Sequence, residues 1–268
     1  MRTLIEAYEM EKLILPSFPS LNAGVLHFFG TRHGPQDVSP NLKIGHLSRG
    51  TSEYPFMASL HQIHGTHGIV LDQNPPQKGE VLDSGDALLT NQPKILLTVR
   101  TADCVPVLVF DGNHQAIAAI HAGWRGAVAG IIPATLALLQ KHFGSSPNDL
   151  HIAIGPSIGP CCYEVDAPVI QKLKETLPAW QNVVEPFGLD TVKLNLKKLV
   201  ADQSVAYGVS ASSITQSHAC TSCRSDLFYS YRREGRVNGT MVSGIMLATP
   251  SCYQQTKEQK DSRRTTGR

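Results

Sequence analysis

Apolar residues recur in short runs bounded by glycine, proline, asparagine and aspartate, a pattern of many short strands with few long helices. Residues 13–50 are irregular, with Leu26-His27-Phe28-Phe29 as a short strand and a polar Gly/Pro loop after it. Ile69-Val70-Leu71 reads as the end of a strand. Lys94–Arg100, Val105–Phe110, Gln115–Ile120 and Ile152–Ile154 read as further strands, and Met241–Leu247 as a closing one. Ala127–Phe143 has helical composition, with Pro133 marking a kink or restart and Gly144 a C-cap. Pro168–Thr176 and Lys193–Tyr207 are two more predicted helices. There is no internal repeat and no linker long enough to split the chain. The expected class is mixed α/β in a single domain.

The stretch Thr98–Gly126 is the most informative. Two strand-like runs flank Asp111-Gly112-Asn113-His114, a turn-forming sequence. Centring the turn on Gly112-Asn113 sets Phe110 opposite Gln115 and Cys104 opposite His121. Directly opposed side chains have Cβ atoms ~5 Å apart, close enough to share a metal ion. A register slip by one residue would put them on opposite faces. Histidines crowd at 61, 64 and 67 in Leu-His-Gln-Ile-His-Gly-Thr-His-Gly. The glycines and β-branched residues there predict an extended segment, which supplies one further ligand without choosing it.

Composition narrows the classes. Of 268 residues, 41% are hydrophobic and 17% charged, which excludes a disordered chain, a coiled coil and a collagen-like repeat. The net charge of +2 is uneven, because residues 254–268 hold five Lys/Arg against two Asp/Glu. The body is therefore near neutral and lacks the charge expected of a nucleic-acid-binding protein. The tail reads as a disordered, solvated basic extension. No apolar run approaches the ~18 residues of a membrane span, and Glu6, Glu9 and Glu11 interrupt any signal-peptide core. A cytoplasmic protein with reduced cysteines is expected. Cys161-Cys162 and Cys220-Thr-Ser-Cys223 could form a four-cysteine zinc knot. Burial as small hydrophobes is the expectation for them instead.

Several segments together resemble one family. Thr31-Arg32-His33-Gly34, Gln62-Ile63-His64-Gly65, Asp86-Ala87-Leu88-Leu89-Thr90, Thr101-Ala102-Asp103-Cys104 and His121-Ala122-Gly123-Trp124-Arg125-Gly126 follow the order of the YfiH family. So do Gly155–Val165 and Phe228–Gly235. The likeness covers roughly residues 25–248. This family has been called the laccase-domain or "multicopper polyphenol oxidoreductase" family and, more recently, purine nucleoside phosphorylases. Arg32-His33-Gly34-Pro35, Leu194-Asn195-Leu196 and Asn238-Gly239-Thr240 depart from its usual motifs.

The resemblance implies a single-domain layered α/β/β/α fold over residues 1–253. It also implies a mononuclear Zn2+ on His64, Cys104 and His121, which are then catalytic through the metal. Three protein ligands and an open fourth position are the catalytic pattern for zinc, which acidifies bound water. The implied activities are phosphorolysis of adenosine, inosine and S-methyl-5′-thioadenosine, and deamination of adenosine. The partners are then a nucleoside and phosphate, with the protein a monomer or weak homo-oligomer. Arg125, just before a predicted helix, and Arg32, in a glycine-containing loop, are candidates for substrate or phosphate binding. Asp103 could orient a ligand or act as a base. Copper oxidation of phenols is the rival chemistry, but the eleven histidines include no His-x-His pair and no repeated copper motif. A Cys-His hydrolase with Cys104 as nucleophile, linked to peptidoglycan-precursor editing, is a further reading. A redox-sensing or binding module built on Cys220-x-x-Cys223 is the non-enzymatic one.

Overall fold

The structure, a computed structural model, describes residues 24–33, 56–71 and 81–247. Strands β1 (Val25–Phe29), β2 (Phe56–His61), β3 (Gly68–Leu71), β4 (Val81–Ser84), β5 (Ala87–Thr90), β6 (Ile95–Thr101), β7 (Val105–Asp111) and β8 (Ala116–Ala122) come first. Helices α1 (Trp124–Ala129) and α2 (Ile131–Phe143) follow, then β9 (Leu150–Ile154), β10 (Glu164–Val165) and α3 (Ala167–Thr176). The chain continues through β11 (Val184–Pro186), β12 (Val192–Leu194), α4 (Leu196–Tyr207), β13 (Ile214–Gln216), α5 (Tyr231–Glu234) and β14 (Met241–Leu247).

The strands form a five-stranded sheet in the order β1-β14-β6-β2-β4 and a six-stranded sheet in the order β13-β9-β7-β8-β5-β3. A small sheet, β10-β12-β11, stands apart. Both large sheets mix parallel and antiparallel pairs. The class read from the pattern, mixed α/β in a single domain, is the one observed.

Layering follows from the composition of β7 and β8. Every residue of both strands is buried, so each must present apolar groups on both faces. Val105, Val107, Val109, Ala118 and Ile120 pack with Ile131, Leu136 and Leu139 of α2 and Leu199 and Val200 of α4. The alternate residues Leu108, Phe110, Ile117 and Ala119 pack with Ile95, Leu97, Val99 and Ile245 of the five-stranded sheet. Helices, six-stranded sheet and five-stranded sheet thus stack in that order. Each large apolar side chain fully buried here contributes ~1.5–3 kcal/mol.

Three sequence expectations need correction. The hairpin pairs Asp111 with Ala116 and Pro106 with His121, so the register is two residues from the one expected. Asp111 makes the difference: its Oδ1 accepts the N–H groups of Asn113 (2.9 Å) and His114 (3.0 Å), and its Oδ2 meets His114 Nδ1 at 2.8 Å. These bonds close a four-residue loop, with Gln115 at positive φ, in place of a two-residue turn. A shift of two preserves the face of every side chain. Cys104 therefore lies just outside β7, still on the side of His121.

The helix expected over 127–143 starts at Trp124 and breaks at Gly130, whose φ of 92° ends α1 and begins α2. Pro133 sits in the first turn of α2, where its missing N–H leaves no helical bond unmade. Gly144 caps α2 as expected. The helix expected from Lys193 starts at Leu196, because residues 192–194 pair as β12 and the Asn195 side chain accepts the Lys198 N–H at 3.0 Å. The basic tail and Cys252 lie outside the described residues. No helix among the described residues is long and apolar enough to cross a membrane.

Phe110 is fully buried between the two large sheets. Phe110→Ala is expected to cost ~3–5 kcal/mol, read as a lower urea midpoint at an unchanged m value. A loss under ~1 kcal/mol would place the stabilising core elsewhere.

Candidate metal centre

The candidate metal centre is built where strands leave the six-stranded sheet. Alternation puts His121 with Ile117 and Ala119 on the face toward the other sheet, at the end of β8. Cys104 precedes β7 at the same end. Between β2 and β3 the chain does not stay extended as expected: it turns at His64, which has φ 59°. Gln62 prepares this turn, its amide pairing with both the N–H and the C=O of Arg100 at 2.8 Å in place of a further strand residue.

One buried carboxylate organises the group. Asp86 Oδ1 accepts the His64 N–H at 3.0 Å and meets His121 Nδ1 at 2.7 Å, while Oδ2 accepts the Gly65 N–H at 2.6 Å. The backbone joins in, with the His121 N–H donating to the Asp86 carbonyl (2.7 Å) and the Asp86 N–H to the His67 carbonyl (2.8 Å). Asp86 thus holds the left-handed turn that carries His64 and fixes the imidazole of His121. With Nδ1–H committed to the carboxylate, the other nitrogen of His121 is the one free to bind a metal.

The ligand atoms of His64, Cys104 and His121 lie within 4.8 Å of one another. Cys104 Sγ is 3.9 Å from His64 Nε2, and the two imidazoles stand edge to face with centroids 4.7 Å apart. Zinc binds thiolate at ~2.3 Å and imidazole at ~2.0 Å, so such separations suit donors around one ion. His121 is buried, Cys104 half-buried and His64 exposed, which leaves the cluster open on the His64 side. His61 and His67 are exposed and outside the cluster.

The electrostatics fit that donor set. Burial pushes the Cys104 thiol up, but hydrogen bonds from His121 and His64 outweigh it and hold it at about 7. Burial lowers His121, yet its bonds to Asp86 and Cys104 raise it to about 9. Burial also raises Asp86, whose donors from His121, Gly65 and His64 keep it below the usual carboxylate range.

Two glycines allow the loop after β8 to close on the ligands. A Cβ on Gly123 would lie 2.6 Å from His64 Cδ2 and 3.2 Å from Cys104 Sγ, and one on Gly126 would lie 2.6 Å from the Gly65 carbonyl oxygen. The backbone of the His-Ala-Gly-Trp-Arg-Gly segment therefore forms one wall of the site.

The other predicted residues fall around it. Asp103, with φ 99°, turns its carboxylate away from the candidate ligands toward Thr221 Oγ1, Ser230 Oγ (3.0 Å) and the Arg232 N–H (2.7 Å). That environment fits an orienting group for the Cys104 loop better than a base. Arg125 is exposed and stacks on Trp124, with 4.4 Å from guanidinium to ring. Arg32 donates to the Ser225 carbonyl and lies 4.9 Å over Tyr229. Arg233 is spent on structure, donating to the carbonyls of Thr221, Ser222 and Phe228.

Sequence reasoning missed Asp86 and Tyr163. Asp86 was visible only as the acid opening Asp-Ala-Leu-Leu-Thr. Tyr163 is pushed up by burial and by the charge of Cys104, while Arg232 and Arg125 act against that shift. It is therefore placed among the thiolate and two cations.

A layered mixed α/β protein with a candidate His/Cys/His centre at the end of its larger sheet defines the class. The family model described as "Multi-copper polyphenol oxidoreductase laccase" matches residues 15–248, and the chain belongs to this YfiH/laccase-like family. It is 37% identical over 219 residues to a purine nucleoside phosphorylase of Bacteroides thetaiotaomicron, covering 75% of this chain and 77% of that protein. A purine nucleoside phosphorylase of Clostridium acetobutylicum is 33% identical over 82% of this chain and 90% of its own length. The crystal structure of YlmD from Geobacillus stearothermophilus superposes with a TM-score of 0.74 at 28% identity, covering 86% of this chain and 94% of that one. That of the Bacillus licheniformis protein YfiH gives 0.77 at 26% identity, covering 90% and 100%.

Asp86→Asn keeps the volume but offers one acceptor oxygen where three N–H donors converge. It is expected to weaken metal binding ~10–100-fold, measured by competition with a chromogenic chelator. Unchanged affinity would show that Asp86 does not set the orientation of His121.

Proposed function

We propose that this chain is a zinc-dependent purine nucleoside phosphorylase acting on adenosine, inosine and S-methyl-5′-thioadenosine, and that it also deaminates adenosine. It works in the cytoplasm as a monomer or weak homo-oligomer. The observation that carries the reading is the convergence of His64, Cys104 and His121 on one point, with Asp86 committing His121 to the metal-binding orientation. The relatives named purine nucleoside phosphorylases support the substrate class.

Two imidazoles and one thiolate suit zinc, which when bound supplies a Lewis acid and acidifies water. The chain's own residues do the rest. In phosphorolysis an oxygen of phosphate bonds to C1′ of the ribose while the C1′–N9 bond breaks, and the purine leaves with the electron pair and takes up a proton. Phosphate carries negative charge into this site and needs cationic donors. Arg125, exposed beside the metal-binding loop, is the proposed phosphate donor, with Arg32 at the same end of the fold. Trp124 holds the guanidinium of Arg125 from one face. Asp103 orients the loop of Cys104 through Thr221, Ser230 and Arg232.

The family description keeps a copper oxidase as the second reading. Among the described residues, the other donor cluster consists of cysteines and contains no histidine, which does not suit a multicopper site. A Cys-His hydrolase acting on peptidoglycan precursors shares the Cys104–His121 pair, and a covalent adduct on Cys104 would favour it.

Chromatography of inosine incubated with purified protein is expected to show hypoxanthine and ribose 1-phosphate only when phosphate is added. Adenosine without phosphate is expected to give inosine and ammonia. Each of His64→Ala, Cys104→Ala and His121→Ala should lower turnover more than ~100-fold and release one zinc per chain. Full activity in any of them removes that residue from the site. Arg125→Ala is expected to raise KM for phosphate ~10-fold or more, the loss of one charge-assisted hydrogen bond, with a smaller change in kcat. An unchanged KM would assign phosphate to another cation.

A further inference from the structure

A second group of metal-binding side chains lies outside the site just described. Cys161 and Cys162 end the loop that leaves β9, and Cys220 and Cys223 lie in the loop that leaves β13. The expectation that these cysteines are buried as small hydrophobes does not hold. Only Cys220 is buried, while Cys161 and Cys223 are exposed. Four thiols drawn from two loops nevertheless converge, with all four sulfurs within 4.8 Å of one another. Cys223 Sγ is 3.4 Å from that of Cys162 and 3.6 Å from that of Cys161.

A tetrahedron with Zn–S bonds of ~2.3 Å has sulfur–sulfur edges of ~3.8 Å, close to these separations. The surroundings also suit a charged thiolate cluster. The Gly159 N–H donates to Cys220 Sγ at 3.2 Å, and a Cβ on Gly159 would come within 3.2 Å of Cys161 Sγ. The backbone thus presses against the sulfurs. The ammonium of Lys197 is buried nearby and donates to the Ala219 carbonyl at 2.9 Å. Burial lowers its pKa, and charge on Cys220 and Cys161 acts in the opposite direction. Four thiolates around Zn2+ carry a net charge of about −2, which a buried ammonium and an inward N–H offset.

We propose that Cys161, Cys162, Cys220 and Cys223 hold a structural zinc ion, separate from the metal at His64, Cys104 and His121. Binding releases the four thiol protons to solvent. Four protein ligands close the coordination sphere, so this ion does not take part in turnover. Its work is to staple the two loops. They already meet through the Ser157–Cys220 bridge and the Thr221 N–H to Ser157 carbonyl bond of 3.1 Å. Thr221 also donates to Asp103, the neighbour of Cys104, and the Ile158 N–H donates to the Asp103 carbonyl at 3.0 Å. The staple therefore supports the loop that presents Cys104 to the first site.

The test uses full-length protein purified with a reductant, with metal counted by mass spectrometry and ligands read by zinc X-ray absorption. Two zinc ions per chain are expected, with about 2.5 sulfurs per zinc at ~2.3 Å. In His64→Ala/His121→Ala one zinc should remain, surrounded by four sulfurs and no nitrogen. Cys161→Ser/Cys223→Ser should lose one zinc and lower the thermal midpoint while keeping the His/Cys/His ion. The unmutated protein decides the matter even where that variant fails to fold. One zinc with a single sulfur overturns this proposal and leaves the catalytic reading intact. One zinc with four sulfurs supports it and removes zinc from the catalytic reading instead. Disulfides among these cysteines in the reductant-purified protein also overturn it.

Discussion

The carboxylate of Asp86 is the constraint on which the site depends. It is fully buried, and it is neutralised by a buried imidazole and two backbone N–H groups. A buried charge is tolerable only when its acceptor capacity is met by well-placed donors. Here the same bonds that make Asp86 tolerable also bend the chain at His64 and orient His121. The solvation requirement of one acid thus dictates the positions of two of the three candidate ligands.

That constraint works because the scaffold beneath it cannot yield. Strands β7 and β8 are buried on both faces, between helices on one side and a second sheet on the other. Close packing of this kind transmits small displacements instead of absorbing them. His121 ends β8 and Cys104 precedes β7, so both inherit the rigidity of the central hairpin. His64 arrives on a turn between two strands and depends more on Asp86 and on the close approach of Gly123 and Gly126.

The surroundings of Asp103 join the two cysteine-bearing regions. Its backbone and carboxylate collect donors from Ile158, Thr221, Ser230 and Arg232. These lie in the loops after β9 and β13 and at the start of α5. The four-cysteine cluster sits among the first two of those loops. A metal there would act on the first site through Asp103, by restricting loop motion, with no direct contact with substrate.

The apolar pattern was enough to read the mixed α/β class, most of the central strands and the placing of Cys104 and His121 on one face, though not as directly opposed partners. Period-two alternation survives a register shift of two residues, so the face was legible although the register was not. The ordered motifs carried the family and singled out His64. Three things were decided only in three dimensions. The hairpin register depended on Asp111 capping its own loop, which propensity does not reveal. The role of Asp86 depended on His64, Gly65 and His121 being brought to it from positions 21 to 35 residues away in the chain. The meeting of Cys161 and Cys162 with Cys220 and Cys223 required residues 58 to 62 positions apart in the chain to share one end of the fold. Local sequence encodes faces and propensities, whereas which distant polar groups meet is settled by the packing that buries everything around them.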